Sequence, residues 1–338
     1  MKKLTGVFIL ATLTFVSTTT LAQTQVTTKI KLATLAPTGT SPHQILMTMG
    51  EKWRTASGGA ITLNVFPDGR MGGEAEVVRR MRVNQLQAAM LTATGLAQID
   101  SSVTAIEDMP MMFRSLDEVA FVRERLRSSI EQKLRRQGYV LLFWGDAGWV
   151  RFFTSTPVRR PDELKQIKMF AWAGNNDQVE VMKMAGWQPV PLETAVIYTS
   201  LKTGMISAVP TIPLAALAGQ FYGPASHMLE VNWAPLVGGT VIKASVWDAL
   251  PQTIRNELMK AATEAGEQLT VRSRKESDEA VEAMKKRGLV VHPVSPDLEQ
   301  EWRRFCEQFY SRIRGGMVPA DMFDEVQRLL IQKRGATK

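Results

Sequence analysis

The stretch that most constrains the fold of this chain runs from Pro157 to Pro213, where apolar runs alternate with helical periodicities. Ile167 to Trp172 is a short, mostly apolar run, and Gly174-Asn175-Asn176 punctuates it, which predicts a strand ending in a loop. Val179, Val181, Met182 and Met184 then predict a partly buried helix ending at Gly186. A Pro-rich return, Gln188 to Pro191, leads to a second helix from Thr194 to Thr203, with Gly204 as its C-cap residue. Strand, helix, strand, helix is the unit of an α/β layer, and its strand ends and helix starts line a cleft edge.

The rest of the chain repeats this grammar. Thr28 to Ala36 alternates as a strand, the loop Pro37 to Pro42 follows, and Ile45, Leu46, Met49 and Trp53 recur at helical spacing. Ser57-Gly58-Gly59 stops that helix, and Ala60 to Phe66 and Gln87 to Thr92 are the next strands. Tyr139 to Trp144 is strongly apolar, and Trp149 to Ser155 continues it as a strand, a candidate first crossing between two lobes. Gly239 to Lys243 returns as the second crossing, a very long helical pattern occupies Gln252 to Lys286, and Leu289 to Val294 is a short strand before terminal helices. The expected lobes are 23–148 with 237–285, and 149–236 with 286–338.

The first residues bear on compartment. Met1-Lys2-Lys3 is basic, Leu4 to Val16 is apolar, and Thr20-Leu21-Ala22 ends in small residues, the order of a secretory signal peptide over residues 1–22. The apolar run is shorter than the roughly 20 residues that span a bilayer, so no stable membrane insertion is expected. The formal charge is +8, with Lys2 and Lys3 inside the leader, and the basic pairs are scattered among acids, which excludes a nucleic-acid footprint. Cys306 is the only cysteine, so no intrachain disulfide can form, and its amphipathic surroundings point to a buried structural thiol.

Several motifs resemble the substrate-binding proteins of tripartite ATP-independent periplasmic (TRAP) transporters, the dicarboxylate-receptor type. Asp162 to Phe170 is similar to that family's "DLKGLKIR", Tyr198 to Ala208 to its "YTALQTGVVDG", Phe66 to Glu74 to its "FPNGQLGGE", and Ile106 to Phe113 to its "DLPFLF". The resemblance implies an α/β, two-lobed periplasmic binding protein (type II-like), with hinge strands and a long helix bracing both lobes. It implies a small-molecule ligand, TRAP membrane permease subunits as partners, a periplasmic location and a monomeric state. Arg151 matches the arginine of the family's "GFRHLT", which helps hold a ligand carboxylate. Glu74 and Thr94 would contribute from the first lobe, although Glu74 also suits a helix start.

The departures from the family carry as much information. An arginine that would fork onto a ligand carboxylate is replaced by Phe170, the glutamate of "EVYTALQ" by Val196, the aspartate of "VVDG" by Ser207, and "ENP" by Pro210-Thr211-Ile212. Phe170 and Trp172 share one side of their strand, and Tyr198 and Thr211 complete the expected wall. Burying an unpaired carboxylate against such a wall would cost several kcal/mol, so the expected ligand is hydrophobic or amphipathic, a monocarboxylate met by Arg151 included. Ile106 to Phe113 is expected to serve core packing and hinge support. His43, His227 and His292 stand in unrelated contexts, and no metal, cofactor or catalytic motif is evident. Three other readings stay open: an ordinary dicarboxylate or sugar-acid receptor, a periplasmic sensor or scaffold contacting a protein partner, and a cleft hydrolase using carboxylates such as Glu74 and Asp146.

Overall fold

The computed structural model describes residues 27–336, so the signal peptide expected at 1–22 lies outside the described residues. In chain order, the first lobe is built from β1 (Thr28–Thr34), α1 (Ser41–Ala56), β2 (Ile61–Phe66), α2 (Glu74–Arg82), β3 (Ala88–Thr92), α3 (Ala93–Ala97), α4 (Leu116–Arg136) and β4 (Tyr139–Trp149). The chain crosses at Val150 into β5 (Arg151–Thr154), β6 (Lys168–Trp172), α5 (Asn176–Met184), β7 (Gln188–Leu192), α6 (Ile197–Lys202), β8 (Ala208–Thr211), α7 (Pro213–Ala218) and β9 (His227–Leu229). It returns through β10 (Pro235–Lys243), α8 (Ala244–Asp248) and α9 (Gln252–Lys285), and ends with β11 (Val290–His292), α10 (Pro296–Glu307), α11 (Tyr310–Ile313) and α12 (Ala320–Gly335).

Two sheets result, one per lobe. The first has the order β2-β1-β3-β10-β4 and the second β11-β9-β5-β8-β6-β7. Successive residues of a strand face opposite sides, so each sheet needs apolar cover on both faces. In the first sheet Leu32, Ala88 and Ile242 face α1 and the first half of α9, while Ala33, Ala89 and Val241 face the core under α4 and α12. In the second, Phe152, Met169 and Ala171 pack with Trp187 and Trp302, while their neighbours Phe153 and Phe170 pack with Val209, Met228 and the end of α9. These paired faces explain why the strands read as apolar runs rather than as clean alternations.

Two strands cross between the sheets, as the resemblance implies: β4 runs into β5 from sheet to sheet, and β10 brings the chain back. Helix α9 braces both lobes, burying Leu258, Ala262 and Leu269 against the first and Ala280 and Met284 against the second. Gly145 and Gly266 permit its close approach to β4, since a methyl on Gly266 would lie 2.7 Å from the Phe143 Cβ and 3.0 Å from the Trp144 carbonyl. One expectation fails here. The whole of 286–338 is expected in the second lobe, yet Met322, Phe323, Val326, Leu329 and Leu330 of α12 are buried in the first-lobe core beside Val119 and Val122. Arg334 secures the end of α12 by donating to both carboxylate oxygens of Glu118, at 2.7 and 2.8 Å. An amphipathic helix shows that it has a partner face without showing which one.

Candidate ligand-binding cleft

The lobes enclose a cavity of about 510 Å³, within the usual range for a small-molecule site. They also touch along one rim. Asn175, which caps α5 by accepting from the Gln178 amide at 3.0 Å, donates to the Thr94 hydroxyl at 3.4 Å. Nearby, the Glu193 carboxylate lies over Gly73 at the start of α2, where a methyl would sit 2.1 Å from its Oε2. Gly73 of the "GGE" stretch, having no side chain, therefore lets the second lobe approach the start of α2.

On the second-lobe side the wall contains Phe170, Trp172, Tyr198, Val209 and Thr211, with Phe152, Trp187 and Trp233 behind. Phe170 is buried, and its ring meets that of Trp172 edge to face at 5.2 Å, as alternation along β6 requires. Tyr198 stands at the mouth, 40% exposed. On the first-lobe side the wall contains Thr34, Glu74, Thr92, Glu107 and Asp108. Glu74 accepts from the Thr92 amide at 2.7 Å and the Thr92 hydroxyl at 2.5 Å. Burial raises its pKa, with those hydrogen bonds opposing and Glu193 reinforcing the shift.

Two of the seven expected contacts are not part of this wall: Thr94 and Arg151. Thr94 is buried and serves the closed rim through Asn175. Arg151 sits opposite Thr211 in the β5–β8 ladder and donates to the Asn232 side-chain oxygen. Burial lowers its pKa, while Glu230 and Asp278 oppose that shift. Its side chain shares a face with Phe153, towards α9, and the wall passes through Val150 and Phe152 instead. Asp146 lines the cavity but is committed elsewhere, receiving hydrogen bonds from Arg274 at 2.7 and 2.8 Å and from Arg123 at 3.1 Å.

The residues that sequence reasoning passed over are Glu107 and Asp108. They belong to the segment assigned to packing and hinge support, and it has that role too: Met111 donates its amide to the Trp233 carbonyl at 2.7 Å, and Tyr310 donates to the Pro110 carbonyl at 2.7 Å. The two acids nevertheless reach the cavity. Glu107 accepts from the Val237 amide at 2.7 Å, whereas Oδ2 of Asp108, a residue only 8% exposed, has no hydrogen-bond partner. Burial drives both pKa values up, with Asp108 and Glu74 adding to the shift of Glu107 and Asp177 to that of Asp108. A signal was present: adjacent acids in the apolar run 106–113, with no basic residue before Arg114. The histidines also need correcting, since pairing of β9 with β11 brings His227 Nδ1 within 3.1 Å of His292 Nε2. Among the described residues no group of three His, Cys, Asp or Glu side chains is placed to hold a metal ion. No helix among the described residues is long and apolar enough to cross a membrane. Cys306 is buried in the aromatic core around Trp302, and burial raises its pKa.

Comparison with known proteins agrees with this architecture. The chain is 27% identical over 161 residues to the protein YiiZ of Salmonella typhimurium, a match spanning 47% of this chain and 49% of that one. So the chain covers about half the length of that relative. It is 21% identical over 246 residues to the C4-dicarboxylate-binding periplasmic protein DctP of Rhodobacter capsulatus, spanning 72% of this chain and 74% of the relative. The crystal structure of a TRAP periplasmic solute binding protein from Shewanella oneidensis with bound succinate superposes with a TM-score of 0.83 at 19% identity, covering 90% of this chain and 99% of that one. Residues 32–314 match the DctP family, and the chain therefore belongs to the bacterial extracellular solute-binding proteins of family 7.

Proposed function

We propose that this protein captures a small hydrophobic or amphipathic organic molecule between its lobes, closes on it by hinge bending, and delivers it to the membrane permease of a TRAP-type transporter. On this reading it is exported to the periplasm, acts as a monomer and catalyses no reaction. The observation that carries the ligand class is the wall itself. It is built largely of aromatic and aliphatic side chains, and among the described residues lining it there is no lysine, arginine or histidine. Burial of an apolar ligand gains on the order of 25 cal/mol per Å², whereas a carboxylate would enter a cavity whose ionisable groups are themselves acids. A monocarboxylate would need Arg151 to leave Asn232 and turn into the cleft.

A second reading has its own support. The Rhodobacter relative is named for C4-dicarboxylate binding, and the Shewanella structure holds succinate. A thermal-shift screen of short dicarboxylates and sugar acids against aromatic and aliphatic ligands separates the two. Ligand at a hundredfold excess over its dissociation constant stabilises by about 2.7 kcal/mol. The expected outcome is a response confined to the apolar panel and weakened by Phe170→Ala; a strong response to succinate or glucuronate overturns it.

A further inference from the structure

The cavity is apolar in body but not neutral in character. Its carboxyl groups are those of Asp68, Glu74, Glu107, Asp108 and Asp146, its other titratable groups are the Tyr198 hydroxyl and the Cys306 thiol, and among the described residues lining it there is no cationic side chain. Asp146 is neutralised from behind by Arg123 and Arg274, and Asp68 is held at the rim by the Thr38 amide and hydroxyl. That leaves Glu74, Glu107 and Asp108, all buried. Glu74 has the Thr92 amide and hydroxyl, and Glu107 has the Val237 amide, but neither has an opposite charge. Asp108 Oδ2 has no partner at all.

A buried carboxyl without a partner is costly, and such groups persist where something completes them. Uncharged ligands would leave that cost in place, and a carboxylate would add to it. An ammonium group would supply both the missing charge and up to three donors, while the Phe170–Trp172 pair, on the second-lobe wall, offers an apolar surface to its hydrocarbon body.

We infer that the ligand is an amphipathic organic cation, an amine on an aromatic or aliphatic body, with its ammonium seated at Asp108 beside Glu107. This rests on the capture of an apolar ligand proposed above. The raised carboxyl pKa values support it, because a bound cation would draw these groups into their ionised form and release a proton.

The test is isothermal calorimetry on the full mature chain with three probes of one skeleton: phenylbutylamine, phenylbutanol and phenylbutyrate. The expected result is that the amine binds about tenfold or more tightly than the alcohol, as a charge-assisted hydrogen bond requires, and that the acid binds weakest. At neutral pH, amine binding should release protons, read as a dependence of the heat on the buffer's ionisation enthalpy. Asp108→Asn should bring the amine-to-alcohol ratio to about one and abolish the proton release. The proton count needs no variant, so it remains decisive if the substitution disturbs folding. Equal binding of all three probes overturns the cation inference while leaving apolar capture standing. Preference for phenylbutyrate overturns the cation and restores an acid-binding site, and failure of all three overturns both.

Discussion

At the scale of single residues, Asp108 is a buried carboxyl whose Oδ2 has no hydrogen-bond partner. Burial is the main cause of its rise in pKa to about 7, and Asp177 adds to it. The sign of the consequence for stability follows from linkage. Below the unfolded pKa, near 4, the carboxyl is protonated in both states and its ionisation adds nothing to the stability difference. As pH rises towards 7 the unfolded chain ionises while the folded one resists, so stability falls across that window. Asp108→Asn removes the effect. In the absence of ligand the variant should melt higher than the native protein at pH 8, and the difference should shrink as pH falls towards 4, as followed by circular dichroism. If the native protein is instead the more stable at pH 8, Asp108 has a compensating partner and the proposed seat for a cation fails. Phe170 shows the complementary case: the resemblance sets it where the family has an arginine, a ring supplies no donor in place of a guanidinium, and the residue lines the cavity.

At the scale of elements, the agreement between sequence and structure follows what periodicity can encode. Strands β1, β2, β3 and β6 and helix α9 lie within one or two residues of their expected bounds, because an apolar run ended by glycine or proline carries its own limits. The partner of α12, the meeting of His227 with His292, and the entry of Glu107 and Asp108 into the cleft were not legible. Each depends on contacts between segments far apart in the chain. Arg151 misled for a related reason: its motif placed it on the right strand, and the strand's alternation then turned its side chain towards α9. The contact of α9 with β4 yields a direct prediction. Gly266→Ala places a methyl against the Phe143 Cβ and the Trp144 carbonyl, the latter being backbone that cannot rotate aside. Overpacking of this kind costs about 1–3 kcal/mol. The melting temperature should drop by several degrees, and an unchanged value would show that α9 can shift away from β4 freely.

At the scale of the whole molecule, the chain passes between the lobes at four places: from β4 to β5, from β9 to β10, along α9, and from α10 to α12. The last passage makes the carboxyl-terminal region part of the first lobe's core. Met322, Phe323, Val326, Leu329 and Leu330 are all buried there, and at about 1.5–3 kcal/mol for each large apolar side chain their sum is comparable to the net stability of about 5–15 kcal/mol of an ordinary domain. A chain ending before Ala320 should therefore fail to give a cooperative melt at room temperature and above. A cooperative transition in that truncated protein would show that α12 is an accessory. The same four passages have a kinematic consequence. Two bodies joined by a single strap can twist, slide and fold, but each further strap set off from the first removes one of those freedoms, and four leave little besides flexion about one axis. On the proposed reading the jaws of this protein would then meet in essentially one way, so a candidate ligand would be measured against a single template, and selectivity would be exercised by a shape that the chain's own routing has already decided.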